Sequence, residues 1–144
     1  MRPRGTPVGL QLARTSKTVG RAFNDVLADA GGSLPVWLIL STLRGRAHAS
    51  QHDLARGIGI EGPTLTRHLD QLEAGGLVRR VPHPDDRRAV LVEPTEAGVE
   101  LHARLLEVVI AFNRSLTSGL SHDDLEALRR TLGVLEANVR TSVG

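Results

Sequence analysis

The chain has 144 residues, 40% of them apolar and 24% charged, the proportions of one globular domain rather than a disordered segment. It contains no cysteine, which excludes disulfides, thiol redox sensing and cysteine-ligated zinc. Seventeen of the 18 basic residues are arginine, so the sequence pI near 10.3 overstates the basic character of a chain whose formal charge is only +2.

Val8, Leu12, Val19, Phe23, Val26 and Leu27 fit one face of a long helix over 8–30, stopped by Gly31 and Gly32. Ser33 is placed to cap a second helix with Pro35 in its first turn. That helix runs through VWLILSTL, apolar nearly all round and therefore central to a core, and Gly45 ends it. At Ser50 the pattern SQHD sets Asp53 three residues after a hydroxyl, a spacing similar to a capping box, and predicts a short helix built on Leu54, Ala55 and Ile58. GIGIEGP then breaks the periodicity and reads as a turn.

A further helix is predicted from Pro63 to the stop at Gly75 and Gly76, with Leu65, Leu69 and Leu72 as its buried stripe. At about 100° per residue the opposite face is centred on Pro63, Arg67 and Ala74 and flanked by Thr64, Thr66, Asp70 and Gln71. The period then changes. LVRRV and AVLVE are short and β-branched around a loop with Pro84 and two aspartates, so a hairpin is expected. Thr95 is a candidate cap for a helix reaching about Ser118, in which Gly98 costs about 1 kcal/mol relative to alanine. Ser121 caps the last helix, where Leu125, Leu128, Leu132, Leu135 and Val139 form a seam spaced 3, 4, 3 and 4, of the kind that pairs with another helix. Association between subunits explains that seam better than packing within the chain.

Helix, turn, helix and hairpin, in that order, make a winged helix-turn-helix over 34–94, within one domain spanning 1–144. The fold class is thus mainly α with a small β-hairpin wing. Candidate contacts to double-stranded DNA are Pro63, Thr64, Thr66, Arg67 and Gln71 on the outward helix face, with Ser50, Gln51 and His52 at the start of the preceding helix. Arg67 is the strongest candidate for guanine. In the loop HPDDRR, Arg87 and Arg88 would enter the narrow minor groove, and Asp86 would stabilise the wing by holding the Arg88 guanidinium in a bidentate pair.

The same loop has a rival reading as a metal or acid/base cluster of His83, Asp85 and Asp86. A hard cation needs more oxygen ligands than these supply, and the adjacent arginines repel it. With no phosphate loop, zinc-protease pattern or nucleophile elbow in the chain, no enzyme activity, metal or cofactor is expected. Net charge is +3 over 1–43, +2 over 44–92 and −3 over 93–144, so the first two thirds suit a polyanion better. The modest total is the best argument for an alternative, a winged-helix protein-interaction module that does not bind DNA. With no apolar run long enough for a bilayer and no apolar stretch in MRPRGTPVG, the chain is expected to be cytoplasmic and free of membrane.

The stretch LARGIGIEGPTLTRHLDQLEAGGLVRRVPHPDDRRAVLVEPTEAG resembles the DNA-binding core of MarR-type (multiple antibiotic resistance) bacterial regulators. The match covers 50–98 by motif and agrees with the family's helix order over almost the whole chain. It departs at His83, where the family pattern usually has an acidic residue before the wing proline. The resemblance implies a homodimeric repressor on a pseudo-palindromic operator. Its dimerisation helices would be 8–30 and 96–140, interleaved through Leu12, Val19, Leu125, Leu128, Leu132, Leu135 and Val139. It also implies a small aromatic or anionic effector, for which Arg14, Trp37 and His48 are the positions to test by location.

Overall fold

The structure is a computed structural model that describes residues 5–45 and 49–143. In chain order these form α1 (Val8–Asp29), α2 (Leu34–Gly45), β1 (Ala49–Ser50), α3 (Gln51–Ile58), α4 (Gly62–Ala74), β2 (Val78–Pro82), β3 (Val90–Pro94), α5 (Glu96–Leu116) and α6 (His122–Ser142). The expected class, mainly helical with a small winged hairpin, is the one observed. The chain divides into two compact bodies, one through Ile110 and the other from Ala111 onward.

Short-range signals set the helix ends. The Val36 amide donates to Ser33 Oγ at 3.3 Å, and the Asp53 amide to Ser50 Oγ at 3.0 Å, each satisfying a donor that the first turn leaves open. Gly59 closes α3 at φ +75°, a left-handed conformation that a residue with a β-carbon enters only with strain. After α4 the Leu77 amide returns to the Leu72 carbonyl at 2.9 Å, with Gly76 at φ +73° making the turn.

β2 and β3 form the expected antiparallel hairpin, Val78 opposite Pro94 and Pro82 opposite Val90. The sheet has a third strand that the sequence did not announce: Ala49 pairs with Val92 and Ser50 with Leu91, giving the order β1-β3-β2. Two residues are too few to display a period, so no alternation marked β1.

The core of the first body draws on Leu27 of α1, Ile39, Leu40 and Leu43 of α2, Leu54 of α3, Leu65, Leu69 and Leu72 of α4, Val78 and Val92 of the sheet, and Leu101 and Leu105 of α5. Each buried leucine contributes about 1.5–3 kcal/mol relative to exposure. The three leucines of α4 therefore fix that helix's rotation, and with it the face turned outward. The start of α5 is joined to the turn before β2. Thr95 Oγ1 donates to the Gly76 carbonyl at 2.6 Å and accepts from the Gly98 amide at 3.1 Å, while the Thr95 amide donates to the Leu77 carbonyl at 3.1 Å. Gly98 is buried here, and a β-carbon on it would lie 2.1 Å from the Leu77 carbonyl oxygen.

In the second body α6 begins with a reciprocal cap. The Asp124 amide donates to Ser121 Oγ at 3.1 Å and the Ser121 amide to Asp124 Oδ2 at 2.9 Å, which lowers the Asp124 pKa. No residue of α6 is buried: Leu128, Leu132 and Val139 are exposed, Leu125 and Leu135 half-buried. On α1, Leu12 is exposed and Val19 half-buried. Among the described residues no single helix is long and apolar enough to cross a membrane.

Candidate nucleic-acid interface

With Leu65, Leu69 and Leu72 turned inward, α4 exposes Pro63, Arg67, Asp70, Gln71 and Ala74 and leaves Thr64 and Thr66 half-buried. The sequence-derived outward face is therefore the exposed one. Thr66 is more constrained than its polarity suggests. Its hydroxyl donates to the Gly62 carbonyl at 3.0 Å and accepts from Gln51 Nε2 at 2.6 Å, so Gln51 and Thr66 fasten the first turn of α3 to the first turn of α4. Ser50 is similarly committed to its cap, while His52 is exposed. Between the two helices lies an open depression of about 490 Å³ lined by Gln51, His52, Ala55, Arg56, Ile60, Gly62 and Thr66. Arg56 is a basic residue that the sequence reading passed over. Its place one helical turn after His52 was the available signal.

The wing tip is made from local hydrogen bonds. Across the loop the His83 amide donates to the Ala89 carbonyl and the Ala89 amide to the Asp86 carbonyl, both at 3.1 Å. Asp86 acts differently from the expected bidentate ion pair: its Oδ1 accepts the Arg88 backbone amide at 3.0 Å, an Asx turn that shapes the loop without holding the guanidinium. His83 also gains a role, since its Nδ1 accepts the Asp85 amide at 3.0 Å. That bond requires a lone pair on Nδ1, so His83 serves the turn as an acceptor. Arg87 and Arg88 are exposed, and among the described residues no carboxylate lies in ion-pair range of either, nor of Arg67.

A second arginine cluster joins the helix to the wing. The Arg80 guanidinium on β2 pairs with Asp70 and with Glu73 of α4, the latter at 3.2 Å, and the Arg80 amide donates to Glu73 Oε2 at 3.0 Å. That backbone bond, followed by the side-chain bond, holds the Glu73 carboxyl below its ordinary pKa, and the bond to Asp70 raises that of Arg80. Beside Arg80 on β2, Arg79 faces Glu93 of β3 at 3.9 Å.

Away from this surface, α2, α5 and the end of β3 line a half-open cavity of about 320 Å³ formed by Leu40, Leu43, Arg44, Pro94, Gly98, Val99 and His102. His102 is buried, its ring stacked on Trp37 with centroids 5.1 Å apart and planes within 5°. Its Nε2 lies 3.4 Å from Ser41 Oγ, and Nδ1 has no partner among the described residues. Of the three positions suggested for an effector, Trp37 reaches the cavity's edge through His102, Arg14 is exposed on α1 away from the lining, and His48 lies outside the described residues. Arg44 and His102 went unselected because each also reads as ordinary helix punctuation or core.

Burial, and then the nearby Arg44 charge, push the His102 pKa below its usual 6.5. The unfolded chain then takes up the proton first, so stability should be constant above about pH 6.5 and fall as pH drops below it. Thermal melting from pH 8 to pH 5 checks this. The stability advantage of wild type over His102→Gln should shrink on acidification, and parallel curves would show that the His102 pKa is the same in the folded and unfolded chain.

A model of the MarR family matches residues 33–90. The HTH-type transcriptional regulator PecS of Dickeya dadantii is 33% identical over 131 residues, which cover 89% of this chain and 79% of PecS. A mutant of MarR from E. coli in complex with operator DNA superposes with a TM-score of 0.82 at 26% identity, over 90% of this chain and 93% of that one. BpsR of Bordetella bronchiseptica, whose DNA binding is regulated by 6-hydroxynicotinic acid, shares the fold with a TM-score of 0.78 at 24% identity, over 90% and 98%. These relatives are transcription regulators rather than enzymes. The leucines of α4 face the core, the family model covers that helix and the hairpin up to Val90, and the likeness to PecS extends over most of both chains: the chain belongs to the MarR family of winged-helix transcription regulators.

Proposed function

We propose that this chain is a cytoplasmic, homodimeric repressor that binds a pseudo-palindromic operator and is released by a small aromatic or anionic effector. The observation that carries the DNA reading is the presence, on one lobe, of the exposed Arg67 of α4 and the exposed Arg87 and Arg88 of the wing, all three without carboxylate partners among the described residues. On this reading α4 lies in the major groove with Arg67 on guanine, Thr64 and Gln71 beside it and Pro63 against the groove wall. Ser50, Gln51, His52 and Thr66 set the helix pair against the phosphates, and the wing arginines enter the adjacent minor groove.

Two such lobes about 34–36 Å apart would meet successive turns of DNA. The chain acts as one domain, with 34–94 as the reading lobe and 8–30 and 96–140 as the dimerisation helices, joined through Leu12, Val19 and the seam from Leu125 to Val139. The effector is assigned to the cavity beside Arg44 and His102, whose apolar walls and cationic edge suit an aromatic acid. It acts by binding better to a dimer with the wrong lobe spacing, and only to the extent of that difference.

A gel shift with the intergenic DNA beside the chain's own gene tests the reading. Binding should weaken steeply with salt, since phosphate contacts dominate affinity. Arg67→Ala should cost about 1–3 kcal/mol and relax base preference, whereas Arg88→Ala should weaken all sequences alike and lower the salt slope by about one. Wild-type affinity in both variants would remove these contacts from the account.

A further inference from the structure

The connection between α4 and β2 is Gly75-Gly76-Leu77, which opens on the most permissive backbone pair available, with Gly76 at φ +73°. Covalent geometry alone therefore does little to set the angle between the helix and the hairpin. Backbone bonds close the turn itself, and the side chain that reaches across it from strand to helix is Arg80. Its guanidinium meets Asp70 and Glu73, which lie three residues apart on α4, and its own amide donates to Glu73. Charge-assisted bonds to two carboxylates are directional, so they fix orientation as well as distance.

We propose that Arg80 is a positioning residue for DNA binding: it locks α4 to the wing hairpin, so that helix and wing meet their grooves as one rigid reader. The proposal rests on the reading of α4 and the wing as DNA-contacting elements. Arg80 need not touch DNA. Its side chain is 21% exposed and its partners Asp70 and Glu73 are 59% and 43% exposed, which makes the cluster a small contributor to stability. Its effect falls on geometry. Preorganisation of this kind removes the cost of aligning two elements at the moment of binding.

Charge alone makes the opposite forecast, and this gives the test its force. Asp70 and Glu73 are negative groups on a lobe that approaches a polyanion, so neutralising both should strengthen binding if electrostatics were all. If Arg80 clamps, the double variant Asp70→Asn with Glu73→Gln should bind about tenfold more weakly while melting close to wild type.

The probe is a duplex enriched from random-sequence DNA by the full-length wild-type chain. Arg80→Ala is measured with and without Arg88→Ala. Once the wing is unclamped its arginine matters less, so the cost of Arg88→Ala should shrink several-fold in the Arg80→Ala background. Hydroxyl-radical footprinting should show minor-groove protection lost first. Should Arg80→Ala fail to fold, Arg80→Lys, which keeps the charge and loses the fork, takes its place and should weaken the same protection.

Unchanged or tighter binding by the neutralised double variant overturns the proposal, as do additive costs in the cycle. Failure of the wild-type chain to enrich any duplex overturns the DNA reading itself, a result distinct from either.

Discussion

Gly98→Ala is expected to destabilise the first body by about 3 kcal/mol, the upper end of the usual overpacking range. The new methyl group would stand 2.1 Å from the Leu77 carbonyl oxygen and 3.1 Å from its carbon, with Leu40 Cδ2 at 3.6 Å behind them. The obstacle is backbone, which cannot rotate aside as a side chain would. The same carbonyl accepts the Thr95 amide, so displacing it also breaks the bond that seats α5. Helix propensity argues the other way, favouring alanine by about 1 kcal/mol. Gly57, a helical glycine with nothing within 4 Å of its β-carbon position, supplies the control, and Gly57→Ala should be neutral or slightly stabilising. Urea denaturation of the two variants decides the matter. A Gly98→Ala protein as stable as wild type would mean that α5 does not rest on Leu77.

Leu128→Glu combined with Leu132→Glu is expected to convert the proposed dimer to monomers and lower operator affinity about a hundredfold or more, because the second lobe then no longer binds at a high effective concentration. Within one chain these leucines are 46% and 39% exposed, in a helix with no buried residue. A helix of 21 residues with an apolar seam gains about 1.5–3 kcal/mol for each leucine it covers, and a carboxylate in the same place must instead lose its hydration. Sedimentation reads the first effect and a gel shift the second. A soluble dimer of normal affinity would show that the seam faces elsewhere.

How far the sequence carried depended on the range of each signal. The caps at Ser33, Ser50, Thr95 and Ser121, and the stops at Gly31 and Gly76, act within a turn of backbone and were legible. So was the face of α4, since Leu65, Leu69 and Leu72 repeat with the helix. β1 was silent because Ala49 and Ser50 are a strand only by virtue of Val92 and Leu91 beside them. Gly98 was legible as a weak helix former and not as a necessary one, because the Leu77 carbonyl beneath it is 21 residues away in sequence. Arg80 looked like one more charge on a strand until the chain reversal at Gly75-Gly76 put Asp70 and Glu73 within reach. No local signal set His102 apart from the other histidines, and only folding brings the Trp37 ring against it.

The wing tip holds its shape from within. His83, Asp85, Asp86, Arg88 and Ala89 exchange hydrogen bonds among themselves, and the loop they close meets the rest of the lobe at the paired residues Pro82 and Val90. Such a loop is an interchangeable part. Residues at its apex whose side chains take no part in those bonds can be exchanged for others of different reach or charge while the helices keep their places, so the strength of the wing's grip can be retuned without rebuilding the fold that presents it.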